Sequence, residues 1–239
     1  NASAVMNVTI KSGTNQFHGA LFEFLQNSVL NARNFFDTTS KAQTKMNDFG
    51  VSLGGPIIRN KTFFFTNFEG VRTRTTTPLL GRVPTAQQLT GDLSSLSSMI
   101  YDPLTTASDG SRSPFPGNII PVSRLDAGTQ KFAQYIPAAN LAQLINNSNI
   151  SVSPSAVADS NQTHFRVDHY LRSSAQIFAR WSYYDAPNTA PALAPLWGKE
   201  YPWTTYNGAI QETHIFGPGT LNEFRFGYSR DNIFQKAIT

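Results

Sequence analysis

Hydrophobic and polar residues alternate with period 2 in seven separate stretches, the spacing that sends successive side chains to opposite faces of an extended strand. Phe17–Asn27 sets Ala20, Phe22 and Phe24 against Gly19, Leu21 and Glu23. Asp48–Gly55 sets Phe49, Val51 and Leu53 against Asp48, Gly50, Ser52 and Gly54. Thr62–Arg74 opens on the triplet Phe63-Phe64-Phe65 and then alternates less strictly. In Thr163–Leu171, Phe165, Val167 and Leu171 oppose His164, Arg166 and Asp168; in Gln176–Tyr184, Ile177, Ala179, Trp181 and Tyr183 oppose Gln176, Arg180 and Ser182. Thr204–Phe216 alternates without a clear facing, and Leu221–Asp231 sets Phe224, Phe226 and Tyr228 against Glu223, Arg225 and Ser229. The pattern predicts an all-β chain.

The connections sort by length. Pro56–Lys61 joins the second and third stretches, Arg172–Ala175 the fourth and fifth, and Gly217–Thr220 the sixth and seventh. All three carry the Gly, Pro, Asn or Ser of tight turns. The other connections are long, so short and long alternate strictly. An antiparallel up-and-down meander with that alternation gathers its short turns at one end and its long loops at the other, as outer-membrane barrels do. The longest connection, Thr75 to Gln162, predicts structure of its own. Thr85-Ala-Gln-Gln88 has the form of a capping box that opens a short helix. Ser123 is placed to cap a second helix, with Leu125, Phe132 and Ile136 near helical spacing up to Pro137. Tyr101-Asp-Pro103 and Phe115–Pro121 read as ordered turns, and the polar run Asn146–Ser160 as a mobile segment.

Strands of about ten residues match what a tilted strand needs to cross a bilayer, whereas soluble sandwiches favour strands of about 5–6. The polar faces hold small residues and isolated charges, which suits a wet lumen. Aromatics gather near strand ends: Phe63, Phe64 and Phe65 follow a short turn, and Trp181, Tyr183 and Tyr184 precede a long loop. These six are the candidate membrane-interface girdle. The fold expected is an antiparallel meander forming part of a transmembrane β-barrel, with short helices in its long extracellular loops. A secreted β-sandwich, serving as a carbohydrate-binding or adhesion module, shows the same alternation and stands as the second reading.

Composition narrows the classes. Asp, Glu, Lys and Arg make up 14% of the 239 residues, against about 25% in ordinary soluble domains. Yet 40% are hydrophobic and 18 are Phe, which disagrees with the aromatic-poor, charge-rich composition of disorder. No apolar run reaches the roughly 20 residues of a spanning helix. The net charge of +4 comes from scattered single residues, not the basic stripe that nucleic acid requires. Cysteine is absent, so the chain has neither disulfides nor thiolate metal sites. The N-terminus, Asn1-Ala-Ser-Ala-Val-Met-Asn-Val-Thr9, has no initiating Met and no leader pattern, and the expectation is a fragment that begins inside a larger fold.

Candidate chemistry is sparse. His164 and His169 are five apart on one strand and therefore face opposite sides, which disfavours shared metal ligation. Asp168 beside His169 has no Gly-x-Ser-x-Gly elbow to accompany it, so no catalytic, metal or cofactor residue is assigned and no enzyme is expected. The Pro-rich loop Ala186–Trp203 holds Trp197, Tyr201 and Trp203. Such aromatics can stack on a sugar or chelate, and they can equally pack the loop against its neighbours.

At the level of motifs the chain resembles the TonB-dependent receptors. Val8-Thr-Ile-Lys-Ser-Gly-Thr-Asn-Gln-Phe-His-Gly19 is similar to the junction between their plug domain and first barrel strand. Leu21–Ser28, Asn31–Asp37, Phe49–Phe65, Asn67–Gly70, Val83–Thr85, Gly91–Ser94, Tyr101–Pro103, Pro116–Pro121 and Asn222–Arg230 resemble, in order, the Oar-like branch. The resemblance implies a 22-stranded barrel around a plug in the Gram-negative outer membrane. Residues 1–15 correspond to the end of the plug and 16–239 to the N-terminal part of the barrel, about seven strands. The partners implied are outer-membrane lipid, the TonB complex through the missing plug region, and an extracellular ligand such as a siderophore or oligosaccharide. No cofactor is implied.

Overall fold

The computed structural model describes residues 9–32, 41, 43–76, 78–194 and 197–238. It divides into a sheet unit (1–77, 155–190 and 199–237) and a loop unit (78–154, 191–198 and 238–239). The stretch 33–40, which carries most of the Asn31–Asp37 motif, lies outside the described residues.

All seven alternating stretches are strands. They are β1 (His18–Asn27), β2 (Gln43–Ile58) and β3 (Thr62–Thr76), then, past the short pair β4 (Leu79–Gly81) and β5 (Ile150–Val152), β6 (Ser155–Arg172) and β7 (Ala175–Asp185). The short β8 (Asn188–Ala190) and β9 (Lys199–Tyr201) precede β10 (Trp203–Gly217) and β11 (Thr220–Ile233), and β12 (Lys236–Ala237) closes the series. The long strands hydrogen-bond in the order β1-β2-β3-β6-β7-β10-β11, every pair antiparallel. This is an up-and-down meander, and several strands exceed the length that alternation alone marked. Among the described residues β1 and β11 do not pair with each other, so the sheet is not closed.

The short turns are tighter than the sequence suggested: Arg59-Asn60-Lys61, Ser173-Ser174 and Pro218-Gly219. Asn60 takes the left-handed conformation at φ 58°, which Asn tolerates better than most residues, and the Lys61 N–H donates to the Ile58 carbonyl at 3.0 Å. Each short turn adjoins a register shift, at Pro56/Ile58, Tyr170/Arg172 and Ile215/Gly217, the rim position where bulges concentrate in barrels.

The loop unit is ordered by capping and side-chain bridging. The Thr85 box forms around helix α1 (Ala86–Leu89): Thr85 Oγ1 accepts from Gln88 N at 3.2 Å and Gln88 Oε1 accepts from Thr85 N at 2.9 Å. The second helix, α2 (Ala127–Ala133), differs from expectation. Its cap is Asp126, which accepts from Thr129 N at 2.8 Å, because Leu125 and Asp126 are extended and separate Ser123 from the helix. The run Asn146–Ser160, expected to be mobile, is instead built into structure. Asn146 and Asn147 turn at positive φ, and Asn149 is buried with its amide exchanging two hydrogen bonds with the Val83 backbone at 2.8 and 2.9 Å. Ile150 is 1% exposed, and β6 already begins at Ser155.

Candidate functional site

Because directly paired residues share a face, the register fixes what each side of the sheet presents. One face carries Leu21, Val51, Leu53, Phe64, Phe68, Phe165, Val167, Ile177, Trp181, Tyr183, Tyr206, Ile210, Phe224, Phe226 and Tyr228. The band runs from β1 to β11, with Glu23, His169 and Glu212 as isolated polar residues on the same face, and it is open to its surroundings: Leu21 is 84% and Phe226 61% exposed. In water an apolar belt of this extent is untenable. Meanwhile just eight hydrophobic side chains are buried among the described residues.

The opposite face is polar. It carries Asp48, Ser52, Asn67, Glu69, His164, Arg166, Asp168, Arg180, Ser182, Asn207, Gln211, Glu223 and Arg225. Arg166 binds Asp168 through two hydrogen bonds of 2.6 and 2.9 Å, and its guanidinium lies 4.3 Å above the Phe178 ring. Arg180 donates to Asn207 at 2.6 Å, and Arg225 donates to Gln211 at 2.8 Å and Glu223 at 2.9 Å. The two histidines separate as their spacing requires: His164 Nδ1 meets Ser182 Oγ at 2.7 Å on this face, while His169 Nδ1 meets Thr62 Oγ1 at 2.8 Å on the other.

A chain segment lies along the polar face. Before entering β1, residues 9–17 cross it, and the Ile10 carbonyl accepts from Arg166 Nη1 at 3.1 Å. A Cβ on Gly13 would fall 2.3 Å from the Phe64 carbonyl oxygen and 2.7 Å from that of Gly55, an approach open only to glycine at position 13. Asn15 then exchanges two hydrogen bonds with Asn60 of the β2–β3 turn, at 2.6 and 2.7 Å. Between this segment and the wall is a space of about 570 Å³, lined by Thr9, Ile10, His164, Arg180, Asn207 and Arg225 among others.

A polar face holding its own peptide segment, opposite a mainly apolar face, is the arrangement of a barrel wall between lumen and lipid. The model of the outer membrane β-barrel domain matches residues 9–239. The chain belongs to this family. It is an outer-membrane β-barrel segment of the Gram-negative type, with the apolar face toward lipid, the polar face toward the lumen, and the long loops extracellular. A stretch of 77 residues is 34% identical to the TonB-dependent transporter Oar of Myxococcus xanthus, covering 29% of this chain and 7% of that protein. The chain thus matches a small part of that relative's length. No solved structure matches.

Within the outer-membrane β-barrel segment, the girdle candidates divide. Phe64, Trp181 and Tyr183 are on the lipid face, but Phe63, Phe65 and Tyr184 point to the lumen, because a strand triplet cannot keep three consecutive side chains on one side. Phe63 is buried and meets Tyr170 edge-on at 6.1 Å. Trp181 stacks on Tyr183 at 5.9 Å, and Tyr183 contacts Tyr206 at 5.3 Å. Tyr206 and Tyr228 belong to this lipid-facing cluster and were not among the candidates. Their signal is cross-strand register, which the ambiguous alternation of Thr204–Phe216 concealed. Near the short turns, Phe17 and Phe64 meet at 6.3 Å.

The loop aromatics divide too. Trp203 opens β10 and packs edge-on against Tyr184 at 5.4 Å, and Tyr201 is half-buried in β9. Trp197 belongs to the loop unit and is 41% exposed.

Proposed function

We infer that the chain is part of the wall and extracellular loops of a TonB-dependent transporter of the Oar-like branch, which takes up a ligand such as a siderophore or oligosaccharide with energy delivered through TonB. The observation that carries this reading is the segment before β1, laid along the lumenal face and tied to it at Ile10, Gly13 and Asn15. A chain that enters its first barrel strand from inside the lumen is what a plug domain upstream requires. Residues 1–15 are then the end of the plug and 16–239 the start of the barrel. The likeness to Oar supports the same reading. The chain's own role is structural and permeative, not catalytic. Phe64, Trp181 and Tyr183, with Tyr206 and Tyr228, serve as interfacial girdle, and Trp197 is the loop aromatic freest to touch a ligand, with Tyr201 and Trp203 supporting the loop.

A deletion strain tests the transport reading. With single ferric siderophores or oligosaccharides as sole iron or carbon source, the strain is expected to lose growth on at least one. Wild-type uptake of that compound should stop when a protonophore collapses the inner-membrane gradient. Growth equal to wild type on every compound, or uptake indifferent to the protonophore, would sink the reading.

A further inference from the structure

Glycine inside a strand weakens it unless something approaches closely, and in this sheet that something is usually an aromatic ring. A Cβ at Gly50 would fall 2.6 Å from Phe22 Cζ, one at Gly70 would fall 2.7 Å from Phe49 Cζ, and one at Gly55 would collide with the Phe17 ring. Each of these glycines is roofed by a neighbouring side chain. Gly208, in the middle of β10, is not. Its φ lies outside the left-handed region, and the nearest atom a Cβ would meet is the Arg180 carbonyl oxygen, at an ordinary 3.7 Å. Gly227 is similarly uncovered but lies on the lumenal face. Neither backbone conformation nor a packed ring accounts for Gly208.

Register places Gly208 between Trp181 and Tyr228 on the lipid face. Trp181 is engaged along its own strand by its stack with Tyr183, so it does not cover the glycine. What remains is a groove of about 330 Å³ walled by Ala179, Trp181, Ile210, Phe226 and Tyr228. Toward the long-loop end it adjoins a second recess, bounded by Tyr206, Tyr228 and Arg230. Arg230 donates to Asn232 at 3.0 Å and forms no ion pair among the described residues. An apolar groove thus runs along the outer wall toward the outer leaflet and ends at a cation without a carboxylate partner.

We propose that this groove seats one acyl chain of a net-anionic, phosphate-bearing lipid, with the headgroup phosphate on Arg230 and no headgroup cation to compete with the guanidinium. From Phe226 to Arg230 the strand rises about 13 Å at about 3.3 Å per residue, enough to guide a length of hydrocarbon. An unfilled notch forfeits the dispersion contacts of its lining, and a seated chain restores them. The guanidinium is suited to phosphate by its planar array of donors. The proposal rests on the outward orientation of the apolar face and not on the transport reading.

The test uses the intact outer-membrane protein in mild detergent, titrated with phosphatidylglycerol or phosphatidylcholine, with retained lipid counted by native mass spectrometry. Wild type is expected to hold one phosphatidylglycerol in preference to phosphatidylcholine. Arg230→Ala should weaken that lipid about fivefold, the effect of one basic residue at a membrane surface, and remove the preference. Gly208→Leu fills the groove and should abolish retention of both lipids, while Gly208→Ala should keep it. Heat-modifiability on gels reports folding; if Gly208→Leu does not fold, Ile210→Trp, which roofs the groove from its rim, replaces it. Equal retention by wild type and a folded groove-filling variant, or no preference for the anionic lipid in wild type, overturns the proposal.

Discussion

At the residue scale, the sheet is organised by glycines that receive rings from adjacent strands. Phe22 shows the consequence. Alternation within Phe17–Asn27 grouped Phe22 with Phe24 as the apolar side of β1, yet both point to the lumen and Leu21 and Leu25 point to lipid. Strand periodicity gives two faces but not which of them turns outward; Phe22 is accommodated on the inward face by Gly50 on β2, whose missing side chain admits the ring. Gly50→Leu is therefore expected to destabilise the intact protein by about 1–3 kcal/mol, the usual cost of overpacking, because its Cβ would also lie 2.7 Å from the Phe68 carbonyl oxygen. Urea unfolding in lipid vesicles measures this, and an unchanged midpoint would mean that the Phe22 ring is not held there.

At the scale of elements, legibility followed how local the determining contact is. The Thr85 box was readable because its partners are three residues apart. Thr85→Ala should cost about 1 kcal/mol, seen as faster amide exchange at Gln88 and Leu89. Asn149 was unreadable because its partner Val83 is distant in sequence. The tie between Asp102 and Arg124 is also nonlocal: two hydrogen bonds of 2.8 and 3.0 Å join them, and Arg124 lies 5.6 Å over Phe115. Arg124, helped by the Leu104 N–H, holds the Asp102 carboxyl below its ordinary value of 3.8. A depressed folded-state value means the pair contributes fully above about pH 4 and is lost as pH falls through the lowered value. Limited proteolysis of the loop unit should be flat from pH 7 to 5 and accelerate below about pH 4, and Asp102→Asn should flatten the acid limb. An identical acid limb in the variant would remove the pair from the account.

For the whole molecule, the decisive property is the contrast between two faces of one sheet. Adjacent residues test it: Leu53→Lys puts a charge on the lipid side of β2 and should cost about 2–4 kcal/mol near mid-membrane, whereas Ser52→Lys enters the lumen and should stay within about 1 kcal/mol. Comparable losses in vesicle folding assays would contradict the assigned facing. The same contrast governs the 239-residue chain by itself. β1 spans 10 residues and β11 spans 14, and among the described residues each has a strand on one side only. Along each free edge, alternate residues present N–H and C=O groups without partners, and in hydrocarbon each such group costs several kcal/mol. A handful of them exceeds the roughly 5–15 kcal/mol by which folded proteins are stable, so burial of the apolar face in lipid cannot compensate while the edges stay open. Expressed alone and refolded into vesicles, the chain should therefore give no monomeric heat-modifiable band and no protease-protected core. Edge pairing between copies would appear as higher-order species on cold gels. A protected, heat-modifiable monomer would require β1 and β11 to meet, closing a barrel from these seven strands.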